Sequence, residues 1–282
     1  MKHYKLISFT ILIIISCNFQ LKAENPPKVV QWKSIEKGLF VTEILAQKLT
    51  KISDYKVTIL KIDPQYFTFH LVTASKYDSL QRTVKEWCEL EGLIAAINAG
   101  MYGGKSRISN VGYMKDFDHI NNPNIKENYK AMAAFNSLDN TLPPFKIIDM
   151  VNEDWGNFKE KYNSFTQSMR MIDNNRKPML WKQKYKMRSS MVVLATDKQG
   201  NVLFIFTRSP FTPNEFSNFL LKIPVQIQTA MYLEGGPESS LYVNNGEIII
   251  EKIGSYVSRT FAHDRNFEFR KMPNVIGIKR KL

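Results

Sequence analysis

Two short stretches carry residue types that could do chemistry. Leu233-Glu234-Gly235-Gly236-Pro237-Glu238-Ser239-Ser240 sets two carboxylates, two glycines and two serines behind an apolar run, and Ile97-Asn98-Ala99-Gly100 sets one amide and a glycine behind another. In both, a buried strand delivers one polar side chain at its end, where a rigid scaffold positions it better than a loop tip does. Glycine beyond that point accepts positive φ and lets a ligand approach the main chain, so that N–H groups face an anion. The competing reading is two tight turns whose Asn and Glu hydrogen-bond their own backbone. A serine nucleophile lacks its usual setting, because neither Gly-x-Ser-x-Gly nor Ser-x-x-Lys occurs around these serines. His119, within Asp116-Phe117-Asp118-His119, offers half a metal site or a solvated loop, and no second histidine stands at ligand spacing. Metal dependence and any other cofactor stay open. His263-Asp264 and His70 carry less, and Trp32, Trp87, Trp155 and Trp181 read as core or as sugar-stacking platforms.

The elements that must hold these groups follow from periodicity. Tyr55–Asp63 and Tyr66–Ala74 alternate apolar and polar positions around Pro64, which predicts a hairpin. Ser79–Glu91 has helical spacing and stops at Gly92, and Leu93–Ile97 is a short buried strand. Gly104 to Asn128 is rich in Asn, Asp and Gly and reads as a long loop. Met191–Thr196 and Val202–Thr207 form a hairpin, Pro213–Leu221 a helix burying Phe216, Phe219 and Leu220, and Gln228–Leu233, Leu241–Val243, Glu247–Glu251 and Asn274–Lys279 are strands. Hairpins with a few helices indicate an α+β fold, a single domain over 26–282 with a mixed, largely antiparallel sheet flanked by a few helices.

The 282 residues carry a formal charge of +13, which favours anionic partners such as phosphorylated sugars, acidic polysaccharide, a lipid surface or nucleic acid. The basic residues are scattered, apart from Lys182, Lys184, Lys186 and Arg188 and the tail Lys279-Arg280-Lys281, with no nucleic-acid-binding signature beside them. No nucleic-acid partner is expected. A basic start, MKHYK, precedes the apolar LISFTILIIIS, which predicts export to the periplasm, the outer membrane or the medium. Two processing sites compete: a lipobox-like Ile14-Ile15-Ser16-Cys17, which would lipidate Cys17 and anchor the chain to a membrane, and cleavage after Ala23, making 1–23 a signal peptide. An uncleaved anchor helix is the third reading. Either cleavage leaves Cys88 as the one unmodified thiol, so stability must come from the core rather than from a disulfide.

Ile97-Asn98-Ala99-Gly100-Met101-Tyr102 resembles the Asn-Gly-Gly-aromatic-aromatic segment of the phosphodiester glycosidase family, and the stretch from Met231 to Val243 resembles its Leu-Asp-Gly-Gly-Gly-Ser-Ser signature. Asn110-Val111-Gly112-Tyr113, Gln167 to Ile172 around Arg170, and Arg188-Ser189-Ser190 stand in the family's order between them. Asn98, Gly100, Arg170, Ser189, Glu234, Gly235, Gly236 and Ser239 match. Ala99, Glu234, Pro237 and Glu238 depart from the usual Gly, Asp, Gly and Ser, and Pro237 removes an N–H. Arg208-Ser209-Pro210 resembles a feature of an exported bacterial subgroup with a Glu-Gly-Gly-Pro-Glu variant.

The resemblance implies an exported hydrolase that cleaves a sugar from a sugar-phosphate diester, in surface or extracellular polysaccharide. A phosphate leaving group is a weak base, so less acid assistance is needed than for an ordinary glycoside. Glu234 is then the base or nucleophile at the anomeric carbon, Arg170 holds the phosphate, and Arg188 and Arg208 assist through bidentate contacts. Asn98 orients sugar hydroxyls or an acyl group, Gly100, Gly235 and Gly236 admit the ligand to the main chain, and Ser189 and Ser239 contact substrate. Glu238 reads as a second acid/base or a surface residue, the latter preferred. The alternative is a non-catalytic carbohydrate-binding or exopolysaccharide-assembly protein of the same fold.

Overall fold

The central strands are apolar along their whole length because both of their faces are covered. The computed structural model describes residues 29–46, 52–103, 107–180 and 187–281. The export segment with Cys17, the basic residues Lys182, Lys184 and Lys186, and Trp181 lie outside these described residues. In chain order the elements are β1 (Lys33–Glu36), β2 (Leu39–Leu45), β3 (Lys56–Ile62), β4 (Phe67–Thr73), α1 (Val84–Glu91), β5 (Ala95–Asn98), β6 (Tyr102–Gly103), β7 (Ser109–Asn110), β8 (Met114–Asp116) and β9 (His119–Asn122). There follow β10 (Ala131–Ser137), β11 (Phe145–Asp149), α2 (Gly156–Lys159), β12 (Tyr162–Ile172), β13 (Ser189–Asp197), β14 (Val202–Phe211), α3 (Pro213–Lys222), β15 (Ile227–Gly235), β16 (Ser240–Asn244), β17 (Ile249–Ile253) and β18 (Asn274–Arg280).

The larger sheet runs β1-β2-β3-β14-β13-β15-β12-β10-β11, with β8 beside β12 and β9 beside β8; the smaller runs β17-β16-β5-β18-β4. Their inner faces meet through Leu60, Val192, Phe204 and Leu233 on one side and Phe69, Ile97, Leu241 and Ile276 on the other. The outer face of the larger sheet, with Ile59, Val193 and Ile205, is covered by Phe216, Phe219 and Leu220 of α3. The outer face of the smaller sheet, with Val72, Ala96 and Val275, is covered by Val84, Trp87 and Cys88 of α1. Helix, sheet, sheet and helix therefore stack in four layers, and each fully buried Phe204 or Phe206 contributes about 1.5–3 kcal/mol of transfer energy. Cys88 packs as a small hydrophobe, and burial pushes its thiol up to about 12.

Among the described residues the fold is mostly antiparallel sheet with three helices, so helix plays a smaller part than the α+β expectation gave it. The expected mixed sheet is corrected as well: every strand pairing among the described residues is antiparallel. The expected hairpin around Pro64 does not form. β3 pairs with β2 and β14 in the larger sheet, whereas β4 pairs with β18 in the smaller. The Asp63–Tyr66 turn, closed by the Tyr66 N–H on the Asp63 carbonyl at 3.1 Å, passes the chain between layers. The expected helix from Ser79 begins only at Val84, because Thr83 is its cap. Its hydroxyl accepts the Glu86 N–H at 3.1 Å, and its own N–H donates to the Glu86 carboxylate at 2.7 Å. The expected long loop after Gly104 carries β7, β8 and β9. The β13–β14 hairpin and α3 form as expected, each slightly longer.

Candidate active site

β5 and β15 end side by side at one edge of the two-sheet core. The Asn98 amide at the end of β5 donates to the Glu238 carbonyl at 2.9 Å, and its oxygen accepts the Ser240 N–H at 2.8 Å. The two sequence motifs are thus tied together by one side chain, only 1% exposed, whose two polar atoms both hold the turn 236–238. Asn98 acts on the turn's backbone in this structure, a task distinct from contacting a sugar. Ser239 extends the lock, its hydroxyl 3.2 Å from the Glu234 carbonyl and 3.5 Å from that of Ser190. The Asn266 amide braces the far side through the Pro237 and Gly254 carbonyls at 3.3 and 2.7 Å.

Glu234 stands where β15 gives way to this turn. It is half-buried by accessible surface, yet its carboxyl group lies among protein atoms that strip away solvent. Burial is the chief cause that pushes it up to about 8; the negative charge of half-buried Glu238 adds to the rise, and the Gly235 N–H, 2.9 Å from Oε1, opposes it. The charge of Glu234 is felt by three tyrosines. Tyr232, Tyr102 and Tyr129 all have hydroxyls raised above the ordinary phenol range, first by burial and then by the charge of Glu234. Gly235 is required by close approach: a Cβ there would collide with the Tyr232 hydroxyl and come within 2.9 Å of Ser189 Oγ. At Gly100, φ is +147° and a Cβ would lie 2.6 Å from Asn110 Oδ1, so this glycine admits a neighbouring side chain. Gly236, at φ +76°, turns the chain.

Arg170, Arg188 and Arg208 are each held in an ion pair. Arg170 forms a buried ion pair with Asp149, and its guanidinium also lies 2.8 Å from Met179 Sδ. Asp149 is held below the ordinary carboxylate range: burial works against this, but the Val151 N–H, Arg170 and the Asn174 N–H outweigh it. Arg188 pairs with Glu215 near the start of α3. Arg208 pairs with Asp264 at 2.6 Å and donates to the Ile253 and Asn266 carbonyls at 2.5 and 2.9 Å. It therefore holds the segment that carries Asn266 against the 236–238 turn. Glu234, Gly235, Gly236, Ser189, Ser239 and Asn98 are brought together; Arg170, Arg188 and Arg208 are each tied to a carboxylate of another element.

His119 bonds Ser75 and His70 bonds Thr68, each at 2.9 Å, and among the described residues no three His, Cys, Asp or Glu side chains converge for a metal. Trp87 is fully buried, its N–H on the Met272 carbonyl at 2.9 Å, and Trp155 packs against Tyr113 and Phe165. Two surface grooves of about 750 and 820 Å³, one between β2 and β17 and one beside Pro143 and Asn201, lie away from Glu234. Sequence reasoning missed Tyr102, Tyr129 and Tyr232. The first and last fall inside the two motifs, where an aromatic beside a strand end was the available signal; Tyr129 gave none.

Two neighbouring strand ends thus bring Asn98, Ser189, Glu234, Glu238 and Ser239 together as the candidate site. The family model described as phosphodiester glycosidase matches residues 91–279, more than half of the chain, and the chain belongs to that family. Among solved structures, a hypothetical protein from Synechocystis is similar over 92% of this chain and 65% of that one, at 14% identity and a TM-score of 0.62. The chain thus spans slightly less than two thirds of that protein's length. The catalytic domain of zebrafish N-acetylglucosamine-1-phosphodiester alpha-N-acetylglucosaminidase, auto-inhibited by its pro-peptide, is similar over 90% of this chain and 82% of that one, at 10% identity and a TM-score of 0.56. At these identities the likeness establishes the fold. No protein of curated function matches the chain.

Proposed function

We propose that the chain is a phosphodiester glycosidase in activity as well as in family, releasing a sugar from a phosphodiester at the Glu234 site. The observation that carries this reading is the desolvated Glu234 carboxyl beside Glu238, on a strand end locked by Asn98. With a group titrating at about 8, Glu234 is mostly protonated at neutral pH. A neutral carboxyl does not repel an incoming phosphodiester as a carboxylate would, and it holds a proton for the departing oxygen. Glu238, whose charge Glu234 senses, supplies the negative charge that favours an oxocarbenium-like carbon or activates water. The sequence role of Glu234 as base or nucleophile thereby becomes that of an acid, with the second carboxylate doing what was first assigned to it. The space beside Gly235 is taken by the Tyr232 hydroxyl and Ser189, so this glycine seats the protein's own side chains rather than a sugar ring.

The ion pairs of Arg170, Arg188 and Arg208 favour a second reading, a carbohydrate-binding protein that keeps the fold without turnover. The full chain offered a panel of sugar-1-phosphodiesters, with and without chelator, separates the two. Release of reducing sugar supports the enzyme; saccharide binding without release supports the binder. Export, with either lipidation at Cys17 or cleavage after Ala23, and action on surface polysaccharide belong to the same proposal and rest on the basic and apolar N-terminal stretch. The mass of the mature chain from a membrane fraction decides between the two cleavage sites.

A further inference from the structure

If the site takes a phosphodiester, a cation must meet the phosphate, and the three arginines of the motifs are held in ion pairs. Arg107 is placed differently. Its guanidinium lies 5.9 Å from the centre of the Tyr102 ring and, among the described residues, has no carboxylate partner. The charge of Arg107 opposes the effect of Glu234 and Glu238 on the Tyr102 hydroxyl, so this cation acts on the same tyrosine that senses both carboxylates. Its backbone sits at φ +55°, a conformation that L side chains seldom adopt, and the Gln81 amide donates to its carbonyl at 2.8 Å. Tyr102 also places its hydroxyl 3.5 Å from the Lys271 carbonyl, which brings the basic segment Arg270-Lys271 to the same rim.

We infer that Arg107, its guanidinium 5.9 Å over the Tyr102 ring, is the anion subsite that receives the phosphate group of a glycosyl phosphate bound at the Glu234 site. This rests on the glycosidase reading and deepens it. The sugar ring lies over Tyr102 towards Glu234, and the phosphate points outward to the guanidinium, whose planar fork suits two phosphate oxygens. The division of charge explains how an acidic floor can serve an anionic substrate: the carboxyl groups meet the neutral ring, and the cation meets the phosphate.

The test is calorimetric binding to the full chain of inorganic phosphate and of glucose, galactose and N-acetylglucosamine 1-phosphates, with the parent sugars as neutral references. At least one 1-phosphate is expected to bind more tightly than its parent sugar. Arg107→Ala is expected to erase that preference, a loss of about tenfold or more for a charge-assisted contact. Arg107→Lys, which keeps the charge, is expected to recover part of it, distinguishing charge from loop conformation. Absence of any phosphate preference in the parent chain, or one that survives Arg107→Ala, overturns the subsite. The two readings fail separately. Phosphodiester turnover left unaltered by Arg107→Ala removes the subsite and keeps the glycosidase. Phosphate binding lost in Arg107→Ala, in a chain that turns over no phosphodiester, keeps the subsite and removes the glycosidase.

Discussion

Asn98, at the end of β5, and Glu238, in the turn that follows β15, are joined by a hydrogen bond of 2.9 Å from the Asn98 amide to the Glu238 carbonyl. With the Ser240 N–H on the other face of the same amide, this one side chain fixes the turn that follows Glu234. Asn98→Ala leaves the buried Ser240 N–H without its partner and the part-buried Glu238 carbonyl with the Ser240 hydroxyl at 3.2 Å alone. A loss of roughly 2–4 kcal/mol is expected, read from urea unfolding, because an unsatisfied buried group costs more than a hydrogen bond gains. Unchanged stability would mean that the turn does not depend on Asn98.

Glu234 sets a pH dependence whose sign follows from its raised titration. In the unfolded chain the group titrates near 4.5, in the folded chain at about 8. The folded state therefore holds a proton that the unfolded state has lost, and stability falls as pH climbs from about 4.5 through about 8. Glu234→Gln carries no such penalty, so its stability relative to the parent rises across that window, by an amount on the order of a few kcal/mol. Parallel melting curves at pH 5 and pH 8.5 would check this, and a constant offset between the two chains contradicts it. The rate of sugar release is expected to decline above pH about 8 for the same reason.

Arg170 and Asp149 form a buried pair, so removing one charge strands the other. Arg170→Ala is expected to destabilise by about 3–5 kcal/mol, with Asp149→Asn in the same chain recovering part of the loss. A stable Arg170→Ala chain that has lost only phosphate affinity would instead return Arg170 to the role its motif suggested.

At Gly235 the neighbouring tyrosine decides the outcome. Gly235→Ala drives a methyl group into the Tyr232 hydroxyl and is expected to cost about 1–3 kcal/mol. Removing that hydroxyl with Tyr232→Phe should relieve part of the cost in the double variant. Additive losses in a thermal or urea series would place the strain elsewhere.

The two strand ends were legible because a buried run that stops at one polar residue followed by glycine is a local pattern, and the structure joins them through Asn98. The β13–β14 hairpin and α3 were legible for the same reason, with Asp197-Lys198-Gln199-Gly200 at the turn and Thr212-Pro213 at the helix start. β3 and β4 were each visible, but which sheet a strand joins depends on distant partners, β14 and β18, that alternation does not encode. The capping box Thr83 to Glu86 was written inside the supposed helix and, given due weight, would have moved its start to Val84. Arg170 gave no sign that Asp149, 21 residues earlier, would neutralise it. Tyr129 lies in a stretch without periodicity, and only the fold carries it to Glu234.

The most direct measurement compares sugar release from one phosphodiester substrate by the parent chain and by Glu234→Gln, with substrate binding measured in both. Binding retained within a few fold and release abolished in Glu234→Gln is the expected result. Equal rates in the two chains would contradict the assignment of Glu234 as the group that carries the reaction.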